Sequence, residues 1–358
     1  MRLGIFFDTF LQGGGAEKIL AVLAKEFDAD IITSGYKQEL YREWLDSRVI
    51  DLGNVTHHFN NRLGFLETAA RFHFNRKKFD YDFNVFCGIF SIFAASSNKP
   101  NVWLCLSPNR TIYDLKERRL AETKGIPRVL LKKYIEWLMP LDQRVVKEHI
   151  QRIYTISRTG SDRVKRFYGL NSSIVNPPIA AEKYCFKKFG DFFFTANRLI
   201  PEKRVDLIAR AFTEMPEKKL VIAGFGPEEG KIHKIIGGFN NIEFVGRLPE
   251  KELVKYYAEC LATVFMPLDE DFGMVPLEGN AAGKACIAVN DGGCRETVVQ
   301  GKTGFLIEPT EQAIIEAVKV FSPENAKEMK GYCLKQAKRF STKAYLDNWR
   351  KIISEAVE

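Results

Sequence analysis

The stretch Met266–Glu278 reads M-P-L-D-E-D-F-G-M-V-P-L-E and links a predicted strand to a predicted helix. The short apolar run Leu261–Phe265 before it is typical of a buried strand. The segment Val275–Ala282 after it predicts a helix, with Pro276 at an early position where its missing N–H costs nothing. A helix N-terminus carries about half a positive charge and several unpaired N–H donors, so the loop before it is a predicted anion site.

Two carboxylates flank this predicted anion site. Glu270 lies in the loop, and Glu278 lies about one turn inside the helix. They would accept hydrogen bonds from hydroxyl groups while N–H donors hold phosphate, and a nucleotide sugar presents both kinds of group. The alternative is an ordinary acidic helix start, which gains only ~0.3–1 kcal/mol per residue from the helix dipole. From these residues alone the two interpretations have equal weight.

The spacing of the two carboxylates, E-x7-E around F-G-M-V, resembles the signature of glycosyltransferase family 4, the retaining group 1 enzymes. This resemblance implies the glycosyltransferase B (GT-B) fold, an α/β architecture of two Rossmann-like domains whose parallel sheets face a central cleft. In that family the first Glu faces the donor sugar and the second binds ribose hydroxyls. The resemblance therefore assigns Glu270 to catalysis and Glu278 to donor binding. It assigns backbone contacts with the donor to Phe272, Gly273, Met274 and Val275.

A cationic pair precedes this region in T-A-N-R-L-I-P-E-K-R-V-D-L-I, residues 195–208. Arg198 is predicted at the end of a strand and Lys203 at the start of the following helix, so both would converge above the carboxyl edge of the sheet. Hydrogen bonds to charged groups contribute roughly 1.5–3 kcal/mol each, enough for two cations to hold a diphosphate and stabilise it as it departs. The R-x4-K spacing resembles the family's diphosphate-binding pair. Arg204 is instead predicted to form a surface salt bridge with Glu202 or Asp206.

A glycine loop near the N-terminus follows the predicted strand 2–9 and precedes the predicted helix Ala16–Phe27. It is neither G-x-G-x-x-G nor a G-K-[ST] loop, which argues against dinucleotide and Walker sites. The sequence G-G-A-E, residues 14–17, resembles the family's first loop. The resemblance implies that the backbone of Gly14 and Gly15 approaches the donor phosphate and the acceptor.

Further matches cover nearly all of residues 190–310, whereas residues 35–150 match poorly. Ala223–Pro227 resembles a G-x-G-P turn of the family, and 291–297 with 301–305 resembles its G-G-x-x-E and G-x-T-G ending. The loop that borders the nucleobase in the family corresponds here to Gly246, Arg247 and Leu248.

One departure from the family pattern is Leu106, which stands where related members carry a histidine that contacts the donor sugar. Either another group replaces that histidine, or the donor differs, or activity is low. The adjacent pair His57 and His58 is a candidate only by its adjacency, and a loop pair without a catalytic role is the simpler interpretation.

Length and composition favour a two-domain cytoplasmic protein. A chain of 358 residues is longer than the length at which a single hydrophobic core usually stops growing. We expect an acceptor-side domain over 1–178, joined by the C-terminal helix 342–358, and a donor-binding domain over 179–341. Seven scattered cysteines without C-x-x-C spacing indicate a reducing compartment. The sequence contains no run of 18 apolar residues, so no membrane-spanning helix is predicted.

The positive charge is concentrated in the first half of the chain. Residues 1–170 hold 27 Lys and Arg against 19 Asp and Glu, a balance of +8, and the remainder holds 26 of each. This asymmetry favours an anionic partner, either the inner face of a membrane or a phosphorylated acceptor, with a solvated basic face as the alternative. Nucleic acid is not expected, because no recognition motif accompanies the charge. The stretch Pro127–Lys147 is predicted to pack in the core, with a surface-lying amphipathic helix as the minority interpretation.

The resulting prediction is a retaining glycosyltransferase that moves a hexosyl group, with mannosyl preferred, from a GDP- or UDP-sugar to a lipid-linked or polysaccharide acceptor. Neither a cofactor nor an obligatory metal is expected, since Arg198 and Lys203 can meet the charge of the diphosphate. Two alternatives remain open: a sugar-nucleotide 2-epimerase on the same fold, and a relative that binds nucleotide sugar without catalysis.

Overall fold

Apolar runs form the strands of two parallel β-sheets, and amphipathic stretches between them form helices, in the computed structural model, which describes residues 1–11, 14–41, 45–53, 62–74 and 78–357. The chain divides into unit 1, Met1–Pro177 with Tyr345–Glu358, and unit 2, Pro178–Ala344. His57 and His58 lie outside the described residues.

Unit 1 has a parallel sheet of seven described strands in the order β3-β2-β1-β4-β5-β6-β7. Its strands are β1 Leu3–Phe7, β2 Asp30–Thr33, β3 Val49–Asp51, β4 Phe83–Cys87, β5 Asn101–Cys105, β6 Arg152–Thr155 and β7 Ser173–Ile174. Its helices are α1 Gly15–Phe27, α2 Arg62–Phe74, α3 Lys116–Glu122, α4 Gly125–His149 and α5 Arg158–Tyr168, followed much later by the C-terminal helix Thr342–Val357. The central strands β4 and β5 are buried throughout, as expected where helices cover both faces of a parallel sheet.

Unit 2 has a parallel sheet of six described strands in the order β10-β9-β8-β11-β12-β13. Its strands are β8 Phe192–Arg198, β9 Lys219–Phe225, β10 Ile242–Gly246, β11 Ala262–Phe265, β12 Cys286–Val289 and β13 Gly304–Ile307. Its helices are α6 Val205–Thr213, α7 Glu229–Ile236, α8 Glu250–Glu259, α9 Met274–Ala281, α10 Cys294–Thr297, α11 Glu311–Val320 and α12 Pro323–Arg339, and the C-terminal helix Thr342–Val357 is therefore α13.

Both sheets reverse their strand order once, as in doubly wound α/β folds. The reversal lies between β1 and β4 in unit 1 and between β8 and β11 in unit 2. In such sheets ligands bind outside the carboxyl ends of the strands at this switch point. In unit 2 the fold therefore predicts a ligand site at the loops that follow β8 and β11. In the described part of the chain, no helix combines the length and apolar character that crossing a membrane requires.

A buried acid in unit 1 makes stability depend on pH. The Tyr113 and Tyr168 hydroxyls donate to Oδ2 of Asp142 at 2.6 and 2.8 Å. Burial nevertheless raises the pKa of Asp142 from 3.8 to about 6. A raised carboxyl pKa means that the folded state keeps a proton which the unfolded state loses. The stabilisation from this group is therefore complete below about pH 4 and is lost as the pH rises to about 6.

We expect Asp142→Asn to leave the free energy of unfolding above pH 6 unchanged or to raise it by about 1–2 kcal/mol. The amide oxygen can accept both hydroxyls without a buried charge. Calorimetric unfolding between pH 4 and 7 should show a weaker pH dependence than in the unsubstituted protein. Asp191→Asn is the control, because Asp191 is exposed and pairs with Lys219 at 2.6 Å on the surface. A large destabilisation by Asp142→Asn above pH 6 would show that the ionised carboxylate stabilises the fold and that its pKa is not raised.

Candidate functional site

The loops at the switch point of unit 2 carry three of the predicted site residues. Arg198 is the last residue of β8 and is exposed, and its side chain has no ion-pair partner among the described residues. Lys203 lies in a 3-10 turn, Pro201–Lys203, rather than at the start of α6 as predicted. Glu270 lies in the loop after β11. The strand order therefore brings both cations and this acid to one edge of the sheet.

Lys203 and Glu270 form an ion pair across this edge. Lys203 Nζ lies 2.5 Å from Glu270 Oε2, and the two side chains are only 17% and 19% exposed. The ammonium group also lies 5.4 Å from the centre of the Phe265 ring. The pair is thus partly shielded from water, which strengthens its interaction relative to a surface salt bridge.

Arg204 holds the loop that carries Glu270. Its guanidinium donates from Nε to the carbonyl of Met266 at 2.8 Å and from Nη2 to the carbonyl of Pro267. The expected surface salt bridge with Glu202 or Asp206 is therefore replaced by bonds to the main chain. The sequence offered no local signal for this, because Met266 is more than sixty residues away.

The motif D-G-G, residues 291–293, forms hydrogen bonds with the loop that carries Glu270. The Gly293 N–H donates to the carbonyl of Glu270 at 2.8 Å, and Asp291 Oδ2 accepts from the N–H of Asp269 at 3.1 Å. A Cβ on Gly293 would lie 2.3 Å from Cα of Phe272. Gly293 is therefore required by the close approach of two backbones, and the motif positions the loop that carries Glu270.

The turn after β9 supports the Arg198 loop in the same way. The Leu199 N–H donates to the carbonyl of Phe225 at 2.8 Å. A Cβ on Gly224 would lie 2.0 Å from the carbonyl oxygen of Asn197. The predicted G-x-G-P turn thus fixes the chain on either side of Arg198.

Helix α9 presents its N-terminus to this edge of the sheet. Gly273, with φ +85°, is the N-cap, and no side chain among the described residues caps the helix. Phe272 is buried and packs edge-on against Phe340 at 5.5 Å between ring centres. Met274 and Val275 are the first helical residues, so their N–H groups point out of the helix end with no bond inside it. This end of α9 can accept an anion.

Glu278, one turn further along α9, accepts a hydrogen bond from the Tyr257 hydroxyl at 2.9 Å. The Tyr184 hydroxyl bonds the same carboxylate, and burial together with that negative charge raises the pKa of Tyr184. Tyr257 is fully buried, so it holds the carboxylate rigidly. Sequence reasoning missed both tyrosines, because neither belongs to a recognised motif.

The predicted nucleobase loop lies at the edge of the sheet. Gly246 ends β10, which is separated from β8 by β9. The Arg247 guanidinium lies 4.6 Å above the Phe225 ring, and Phe225 is itself 44% exposed. Leu248 is half-buried against the cluster around Tyr257. The strand order therefore places Gly246, at the end of β10, at the same carboxyl edge of the sheet as Arg198, at the end of β8.

In unit 1 the first glycine loop is organised by a buried acid. Glu17 is 4% exposed and accepts from the N–H of Leu11 at 2.9 Å, the N–H of Gly14 and the Tyr41 hydroxyl at 2.7 Å. Gly14 is the N-cap of α1 and Gly15 its first residue. The Glu of G-G-A-E is thus a positioning residue for this loop.

Sequence reasoning also missed Asp8, which follows β1 at the switch point of unit 1. Its carboxylate accepts three main-chain N–H groups, from Ile89 at 2.9 Å, Phe90 at 2.9 Å and Ser91 at 2.8 Å. Burial outweighs these bonds and raises the pKa of Asp8 to about 6. Asp8 therefore ties the loop after β4 to the end of β1.

Leu106, at the position of the family histidine, is half-buried directly after β5. The polar groups that follow it form a cluster: Arg110 Nε lies 3.0 Å and Arg163 Nε 3.4 Å from Oδ2 of Asp114. The Arg163 Nη1 donates to Ser107 Oγ at 3.5 Å. The structure thus places two guanidinium groups close to the residue that follows Leu106 in the chain.

Glu270 stands between Asp269 and Asp271, a pattern that could suggest a metal site. Among the described residues, however, no three His, Cys, Asp or Glu side chains come together in a group that could hold a metal ion.

The chain as a whole has the architecture of known glycosyltransferases. It superimposes on Anabaena HepE in complex with UDP with a TM-score of 0.76 at 16% identity, over 99% of this chain and 100% of that chain. This likeness shows the fold, and it confirms the prediction of a GT-B protein with two Rossmann-like domains.

The family follows from the second unit. Residues 181–345 match the family described as glycosyl transferases group 1. Over these residues the chain is similar to this family, which confirms the resemblance stated from its motifs.

Two curated relatives are mannosyltransferases. The chain is 32% identical over 233 residues to Alpha-1,3/1,6-mannosyltransferase ALG2 of Dictyostelium discoideum, covering 57% of this chain and 54% of the relative. It is 35% identical over 139 residues to the GDP-mannose-dependent alpha-(1-6)-phosphatidylinositol monomannoside mannosyltransferase of Mycolicibacterium smegmatis, covering 34% of this chain and 36% of the relative. The matched regions thus span about half the length of the first relative and about a third of the second.

Proposed function

We propose that this protein is a retaining glycosyltransferase that transfers a hexosyl group, with mannosyl preferred, from a nucleotide-diphosphate sugar to a lipid-linked or polysaccharide acceptor. The observation that carries the proposal is the partly buried Lys203–Glu270 pair, 2.5 Å apart, at the switch point of unit 2. It combines a cation for phosphate with an acid for sugar hydroxyls at the place where doubly wound sheets bind ligands.

The remaining groups of the site fit a nucleotide sugar. Arg198 and Lys203 would bind the diphosphate together with the N–H groups at the start of α9. Glu278 would accept the ribose hydroxyls, and Glu270 would face the hexose. Arg247 and Leu248 would border the base.

Transfer requires the bond between the anomeric carbon and the diphosphate oxygen to break. A new bond forms between that carbon and the acceptor oxygen on the same face, and the acceptor proton passes to the departing diphosphate. The protein then needs no carboxylate nucleophile, and its main task is to stabilise the charge that develops on the leaving group. The two cations and the helix end supply that stabilisation without rearranging during the reaction.

Two observations bear on the donor. Both mannosyltransferase relatives support mannose, and the name of the second one specifies GDP-mannose. The Anabaena structure was solved with UDP, so a UDP-sugar is the second candidate. A thermal-shift panel of GDP, UDP and their sugars separates them, because a ligand that binds the folded state raises the apparent unfolding temperature.

Turnover assays of the donor found in that panel separate the three candidate activities. A glycosyltransferase consumes the donor and releases the nucleoside diphosphate faster when acceptor is present. Conversion of the sugar without acceptor and without release of diphosphate would indicate the 2-epimerase. Binding without any turnover, together with Leu106 at the histidine position, would indicate the non-catalytic relative.

We expect Glu278→Ala and Glu270→Ala to differ in the step they affect. Loss of Glu278 removes a hydroxyl acceptor for the nucleotide and should weaken binding of the free nucleoside diphosphate about 10-fold or more. Loss of Glu270 should leave that affinity within about threefold and lower kcat. Calorimetric titration and steady-state kinetics measure the two effects. Wild-type kinetics in both variants would rule out the proposed site.

A further inference from the structure

Helix α4 has an apolar surface on the side opposite to its core face. The described part of the chain has ten exposed large hydrophobic residues, and four of them lie in a 12-residue stretch inside α4. These four are Ile126, Val129, Leu130 and Trp137, at 75%, 55%, 62% and 56% exposure. The core face of the same helix consists of Ile135, Leu138, Asp142, Val145 and Val146. At 3.6 residues per turn the exposed four fall within an arc of about 100° that points away from the buried five.

The surroundings of this surface are basic. Residues 116–137 contain seven Lys and Arg against three Glu, a balance of +4. Lys124, Arg128 and Lys133 are exposed around the apolar residues. Lys132 is also exposed, and its contact with Glu136 at 3.8 Å is a surface pair. Exposed surface pairs are weak and leave the local positive potential largely intact.

We propose that the N-terminal half of α4, residues 124–137, docks onto an anionic phospholipid bilayer. Aliphatic side chains and a tryptophan among lysines and arginines are the composition of helices that lie in the headgroup region, where the ring and the alkyl groups enter the acyl boundary while the cations meet lipid phosphates. The sequence predicted mainly core packing for Pro127–Lys147. The structure shows that core packing begins only after residue 130, because residues 124–130 are all exposed.

Charge decides between a bilayer and a second copy of this chain as the occupant. A second copy would bring the same +4 segment against itself, and like charges facing each other oppose association. An anionic leaflet attracts this basic segment, and each basic residue near the surface raises the membrane partition coefficient about fivefold. None of the residues in this inference belongs to the proposed transfer site, so the inference does not depend on turnover.

Flotation of the full chain with vesicles tests the proposal. We expect binding to phosphatidylglycerol mixed with phosphatidylcholine at low salt, and at least 10-fold weaker binding to phosphatidylcholine alone. Salt at about 0.5 M should release the protein, because screening shortens the range of the charges. No flotation with anionic vesicles at low salt would overturn the proposal, and so would a stable dimer in sedimentation that the α4 variants below abolish.

Paired variants assign the effect to α4. Leu130→Ser with Trp137→Ser should lower partition at least 10-fold, and Lys132→Gln with Lys133→Gln about 10-fold to 30-fold. The controls carry the same kinds of change on unit 2: Val320→Ser with Tyr332→Ser, at 68% and 53% exposure, and Lys327→Gln with Lys335→Gln. These should float like the unsubstituted protein. Equal losses in the α4 variants and in the controls would show that the binding is not specific to this helix.

Discussion

Replacing Lys203 by methionine is expected to lower kcat about 10²–10³-fold with the donor bound nearly normally. Methionine keeps most of the side-chain volume next to Phe265 and removes only the charge. In the proposed site the ammonium stabilises negative charge that grows on the diphosphate as it leaves, so its loss affects the transition state more than the ground state. Single-turnover measurement of diphosphate release gives the rate of this step directly.

The control for this variant is Lys219→Met. Lys219 also pairs with an acid of unit 2, Asp191, at 2.6 Å, but both side chains are more than 60% exposed. An exposed pair contributes about 0–1 kcal/mol, so this variant should keep the kcat of the unsubstituted enzyme. If Lys203→Met behaved like the control, the ion pair with Glu270 would have only a structural role and the proposed mechanism would be wrong.

Gly293→Ala is expected to reduce activity about 100-fold and to destabilise the protein by about 1–3 kcal/mol. The new methyl group would lie 2.3 Å from Cα of Phe272, a backbone atom that cannot move aside alone. The loop must therefore shift, and it carries Glu270 on one side of Phe272 and the N-terminus of α9 on the other. A displacement of about 1 Å at a reacting group is enough for such a loss.

Gly331→Ala is the matched control for this substitution. Gly331 lies inside α12, and a Cβ there would meet nothing within 4 Å. Alanine in a helix interior should stabilise by about 0.5–1 kcal/mol and leave activity unchanged. Thermal unfolding and steady-state kinetics of both variants separate the local clash from a general effect of glycine replacement. Wild-type activity in Gly293→Ala would mean that the Glu270 loop tolerates displacement and does not position the sugar.

Much of the secondary structure could be predicted because parallel strands are continuous apolar runs between helices. The bounds predicted for α9, β11 and α13 differ from those in the structure by no more than one residue at either end. Strand β7, Ser173–Ile174, was missed because both residues are exposed and only one is apolar. Strand β13 was missed because Gly304–Ile307 was interpreted only as part of a glycine motif.

The sequence motifs predicted which loops form the candidate site, but they did not predict the contacts that hold these loops in place. Gly224 and Gly293 were identified only as parts of family motifs, and the structure shows that a Cβ at either position would collide with another stretch of backbone. Arg204 looked like a surface residue, yet it binds the carbonyls that begin the Glu270 loop. Such contacts join residues that are far apart in sequence, and no local pattern reports them.

By itself, the sequence predicted the family resemblance, the α/β alternation and the candidate acids and cations of the site, because spacing within one loop or turn is a local property of the chain. Only the tertiary structure decided that Lys203 pairs with Glu270, that Tyr257 and Tyr184 hold Glu278, and that half of α4 turns an apolar surface outward. The physical reason is that these depend on strand order and helix packing, which bring together side chains that the sequence separates by tens of residues.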